Sequence, residues 1–150
     1  MTQKLIITFC IALYLLGVPL WQFNETHIFD PNWTSHLRMH ESWLLLTNTA
    51  VGLFCLWGLW IRKEVILSAI FSMIVTGSFL LAFSMQGLDG GSIKYMEAGD
   101  KTLFDLNAVA VSFGLAFLFL LCAIIVETIQ SLNFDMDAYS LPSSALQGLM

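Results

Sequence analysis

Four stretches of the chain carry no Asp, Glu, Lys, Arg or His: Leu5–Trp21, Trp43–Ile61, Val65–Met85 and Leu106–Val126. As helices rising about 1.5 Å per residue, each can reach across a hydrocarbon layer about 30 Å thick. Polar positions collect between them, in residues 22–42, 62–64 and 86–105, and after Val126. The pattern predicts a single all-α membrane domain over 1–150, a four-helix transmembrane bundle whose spans follow those four stretches. Its extracytoplasmic end is expected to be capped by the first and third loops.

Local signals refine each span. Lys4 ahead of an apolar stretch resembles a signal sequence, but "GVPLWQFNETH" lacks a small-x-small cleavage pattern, so a retained helix is expected. Pro19 falls in the last turn of that helix, where it can bend or end it. Asp30 followed by Pro31 reads as an N-cap and first-position pair, predicting a helix over Pro31–Ile61. At about 46 Å that helix exceeds the hydrocarbon thickness, so its first three turns would stand outside. Arg62–Glu64 is a short turn joining spans two and three as an antiparallel hairpin. Ser68, Ser72 and Thr76 recur every fourth residue with Gly77 beside them, a small-residue stripe suited to helix packing. The tail after Val126 shows no period sufficient for a fifth span and is expected to be an exposed, partly ordered end.

Composition agrees with the pattern and removes several functions. Apolar residues make up 57% and charged residues 11% of the chain, against about 45–50% and 25% in soluble domains. A net charge of −5 supplies no basic stripe for nucleic acid. The absence of charge within the spans argues against an ion pump or voltage sensor. "GLDGG", at 87–91, follows no strand and precedes no Lys-Ser or Lys-Thr pair, so no nucleotide cofactor is expected and a flexible turn is the better reading. Cys10, Cys55 and Cys122 lie in separate spans, as packing residues rather than a disulfide framework.

Cations set the expected orientation. Lys4, Arg62 and Lys63 fall on one side, Arg38, Lys94 and Lys101 on the other. Arg62 and Lys63 sit in a very short turn against the membrane, where the positive-inside rule acts most strongly. The chain is therefore expected in the plasma membrane as a multi-pass protein with both termini cytoplasmic.

The chemistry concentrates in "NETHIFDPNWTSHLRMHESW", residues 24–43, which holds all three histidines. His36 and His40, four apart, share a helix face with Trp43 and Thr47. With His27 arriving from the loop, three imidazoles could ligate a divalent transition metal, leaving an open position. Asn24, Asp30 and Glu41 are available to orient such ligands. The glutamate of an HExxH box is absent, since Leu37 follows His36. An interfacial collar competes with this reading: Trp21, Trp33 and Trp43 belong at a membrane border, and Arg38 could pair with Glu41 or Glu25 on a wet surface. Asn24 in "NET" and Asn32 in "NWT" form glycosylation sequons, read here as turn and cap formers.

Asn24, Glu25, Thr26, His27, Phe29, Pro31, Trp33, His36 and His40 form an Asn-Glu-Thr-His, Phe-x-Pro-x-Trp-x-x-His, x-x-x-His pattern. In this segment and in the order of its spans, the chain resembles a group of small four-helix membrane proteins of bacteria and fungi with no established activity. Thr34 and Ser35 stand where that pattern expects prolines. The resemblance implies a membrane bundle and draws attention to the histidine segment, without naming a reaction. Two functions are expected to compete. One is binding of a small ligand, membrane lipid or partner protein, including a second copy of the chain, through Asn24, His27, Asp30, Trp33, His36, His40 and Glu41. The other is a small metal-dependent or acid–base membrane enzyme acting on a lipid-like substrate.

Overall fold

The computed structural model describes residues 1–25, 27–89, 102–103 and 106–140. Among the described residues there are four helices: α1 over Thr2–Gln22, α2 over Ser35–Arg62, α3 over Val65–Asp89 and α4 over Ala108–Ser140. All four are long and apolar enough to cross a membrane. Just before α4, β1 (Thr102–Leu103) pairs antiparallel with β2 (Leu106–Asn107), Thr102 facing Asn107 and Leu103 facing Leu106. Most of the glycine loop, including Gly90 and Gly91 of its turn, lies outside the described residues.

α1 is interrupted by a wide turn over Leu13–Gly17. There Val18 N–H donates to Leu13 O, five residues back rather than four. Pro19 gives the physical reason: it has no N–H for the carbonyl of Leu15, and its ring would collide with that carbonyl in a regular helix. A single wide turn relieves both problems without ending the helix.

α2 starts later than its sequence predicts. The N-cap is Thr34, in extended geometry at φ −65° and ψ 154°, and its side chain accepts from Leu37 N–H at 3.2 Å. Asp30 instead closes a tight turn, its Oδ1 accepting from Asn32 N–H at 2.8 Å while its carbonyl accepts from Trp33 N–H. Both residues are good caps, and the buried position of Asp30 beside Ile28 commits it to the turn. α2 then runs to Arg62, leaving Lys63 and Glu64 as the connection to α3. Lys63 takes the left-handed conformation at φ 61°, and Gly58 O receives the N–H of both Lys63 and Glu64. This is a helix C-cap of the left-handed type with lysine in the position glycine usually holds.

The core lies between the buried faces of the four helices. α1 contributes Ile7, Cys10, Ile11 and Tyr14, and α4 contributes Phe113, Ala116 and Leu120. The Ser68, Ser72 and Thr76 stripe of α3 is fully inside. Two glycines set close approaches. A Cβ on Gly52 would stand 2.9 Å from Leu15 Cβ, so α2 touches α1 at its wide turn; one on Gly77 would stand 3.1 Å from the Phe117 ring of α4.

Side-chain bonds align the ends of the bundle. Lys4 Nζ donates to Leu59 O at 2.9 Å, and Trp60 Nε1 donates to Thr8 Oγ1 at 3.0 Å. The start of α1 therefore sits beside the end of α2 and the α2–α3 turn, and the histidine segment lies at the opposite end. Gln3 Nε2 donates to Ala123 O at 2.8 Å, so α4 also passes this basic end. α4 then continues to Ser140, about 25 Å farther at 1.5 Å per residue. The tail expected after Val126 is thus helical through Ser140. No proline or glycine occurs between Val126 and Ser140 to stop it; residues 141–150 lie outside the described residues.

Candidate functional site

The connection from α1 to α2 is built from successive turns that satisfy its own backbone. Gln22 O accepts the N–H of Asn24 and of Ile28, and Asn24 O accepts those of His27 and Phe29. Asn24 holds the exit from α1 through its side chain: Nδ2 donates to Trp21 O at 2.6 Å, and Oδ1 lies 3.1 Å from His27 Nδ1. Phe23 and Phe29 meet edge to face at 6.3 Å between centroids. These local bonds let a polar connection lie against the bundle with Ile28 and Asp30 buried.

The predicted residues fall into two groups. Asn24, His27, Asp30 and Trp33 form the turn, with the rings of His27 and Trp33 edge to face at 6.2 Å. Burial of the half-buried His27 ring lowers its pKa below the ordinary imidazole value, and the nearby Asp30 charge partly restores it. His36 and His40 form the second group on the first turns of α2. Their Nε2 atoms are 3.1 Å apart, the rings edge to face at 4.4 Å, and both side chains are exposed. The His40 ring lies 6.1 Å from that of Trp43, itself 63% exposed. Glu41 is half-buried.

Among the described residues, no three His, Cys, Asp or Glu side chains are grouped to hold a metal ion. His27 turns onto Asn24 and Trp33, whereas His36 and His40 turn onto each other. Arg38 Nη2 donates to Trp33 O at 3.1 Å, tying the turn to α2. Its Nε and the Oε1 of Gln22 are buried without a hydrogen-bond partner among the described residues.

Two features escaped the sequence reading. Tyr14 OH lies 3.1 Å from Ser72 Oγ in the bundle core; a lone tyrosine in the middle of an apolar span was the available signal. At the basic end, Lys4 lies over the Trp60 ring at 5.9 Å and Arg62 over that of Trp57 at 5.9 Å. The spacing of Trp57, Trp60 and Arg62 on one helix end was the signal there.

Comparison with protein-family models, with curated proteins and with solved structures finds no match for this chain. The likeness carried by residues 24–40 therefore rests on those residues and on the order of the helices.

Proposed function

We propose that the chain is a multi-pass membrane protein that binds a phospholipid at the His36–His40 face of α2. Tryptophan positions support the membrane setting. Trp43 and Trp60, both exposed, are about 26 Å apart along α2 at 1.5 Å per residue, close to the thickness of a hydrocarbon core. Trp21 joins the first level and Trp57 the second, as expected for aromatic belts. Lys4, Arg62 and Lys63 gather at the Trp60 level, which favours that end as cytoplasmic and the histidine end as external. Surface labelling of intact cells tests this: a cysteine at Ser35 should react with an impermeant thiol reagent, and one at Glu64 should not. The reverse pattern inverts the topology.

The observation that carries the binding function is a ladder on one exposed face. His36 and His40 stand above Trp43 and Leu44, with imidazole nitrogens at the polar level and large apolar side chains below. Such a face suits an amphiphile, whose headgroup meets hydrogen-bonding rings while its chains lie along α2. Native mass spectrometry of protein purified in mild detergent tests it. The wild type should retain a bound phospholipid that a His36→Ala, His40→Ala double variant loses. Equal retention overturns the reading.

A further inference from the structure

We infer that His36 and His40 form a two-nitrogen chelating site for a divalent transition metal ion. The exposed position explains why the pair stands out. Two neutral imidazoles that carry their protons on Nδ1 would point both Nε2 lone pairs into the same small space, a repulsive arrangement unless a cation occupies it. In the absence of metal, opposite tautomers let one Nε2–H donate to the lone pair of the other Nε2, giving the 3.1 Å contact, and that proton holds the place a metal would take. A metal ion can replace it. At a metal–nitrogen distance of about 2.0–2.1 Å, two nitrogens 3.1 Å apart subtend about 98° at the ion, between the octahedral and tetrahedral angles. Residues four apart on a helix already face one another, so side-chain rotation alone can bring both lone pairs onto one ion.

The surroundings leave the rest of the coordination shell open. His27 is held by Asn24 and Trp33, and no third ligating side chain joins the pair among the described residues. Water or an anionic oxygen of a small ligand would complete the shell. The positive end of the α2 dipole opposes the ion, but solvent screens it at these exposed positions. Imidazole ligands suit zinc, nickel and copper(II), with copper held most tightly. The inference stands without the phospholipid reading, although both use the same face.

Calorimetric titration of the full-length, delipidated protein in metal-free detergent buffer, with copper(II) or zinc chloride alone, tests the site. The wild type should bind one ion per chain, copper more tightly than zinc. His36→Ala and His40→Ala should each weaken binding by more than about tenfold, since losing even an outer-shell partner costs 10–100-fold. His27→Ala should bind as the wild type does. Electron paramagnetic resonance of the copper form should show two imidazole nitrogens. Binding by the double variant equal to that of the wild type overturns the inference, as does an equal loss in His27→Ala, which would make the site a three-histidine one. Because lipid is absent, failure here leaves the phospholipid result to be judged on its own.

Discussion

Two polar regions of this molecule answer the same problem in opposite ways. In the middle of the bundle, every hydroxyl of the α3 stripe is satisfied at short range: Ser68 donates to Cys55 O, Ser72 to Ser68 O and Thr76 to Ser72 O, at 3.0, 2.8 and 3.0 Å. These groups spend their hydrogen-bonding capacity on neighbouring carbonyls and let α3 lie close to its partners. At the histidine end, His36 and His40 share one contact with each other and face outward. Interior polarity here serves packing, whereas the polarity of the histidine pair stays on an exposed face. The distinction comes from surroundings, since both sets recur at the same four-residue spacing.

Overfilling the middle should break the comparison most severely. Gly52→Leu places a side chain where Leu15 and Tyr14 already stand, and a loss of about 1–3 kcal/mol is expected. Unfolding in mixed detergent measures it; an unchanged midpoint would show that α1 and α2 do not meet at the wide turn. At the polar end, Thr34→Ala removes the helix cap and should cost about 1 kcal/mol. The loss should appear first as faster amide hydrogen exchange at Leu37, with Tyr14 and Ser72 unaffected.

Smaller effects sharpen the contrast. Tyr14→Phe removes one hydroxyl contact between helices and should destabilise by about 0.6 kcal/mol, the average for such bonds in a membrane protein. His40→Ala, on an exposed face, should change stability by less than about 0.5 kcal/mol. A larger loss for His40→Ala than for Tyr14→Phe would mean that the histidine pair is structural.

Acidity should loosen the turn. The folded pKa of His27 is lowered by burial, so the unfolded segment binds a proton at higher pH than the folded one. Stability of the turn is then full above the ordinary imidazole value and declines as the pH falls through it towards the folded value. Amide exchange at His27–Asp30, corrected for its intrinsic pH dependence, should quicken between pH 7.5 and 5.5, and His27→Gln should flatten that response. Equal protection at both pH values would remove the burial effect.

The sequence made the four long helices legible because each apolar run is uninterrupted by charge, and made the α3 stripe legible through its spacing. The start of α2 was not, because Asp30 and Thr34 both satisfy the local rules for a cap. Only burial of the connection assigns one to the turn and the other to the helix. The continuation of α4 was missed for a related reason: residues 127–140 lack an apolar period, yet contain no breaker, and a helix begun inside the bundle extends through them at little cost. At the candidate site, the proximity of His36 and His40 followed from spacing alone, whereas the attachment of His27 to Trp33 depends on the turns between them.

The wide turn in α1 has a consequence far from its own position. It holds one residue more than a regular turn, so everything after Gly17 is rotated by about 100° relative to an unbroken helix. The direction in which the chain leaves at Gln22, and hence the side of the molecule on which the histidine connection lies, is decided within the apolar depth of α1. Replacing Pro19 by alanine, which lets the turn tighten without losing a residue, would return these residues to the regular phase and swing the connection towards another neighbour. Deleting one residue between Leu13 and Gly17 would instead remove the turn and its extra residue together and leave the connection where it is.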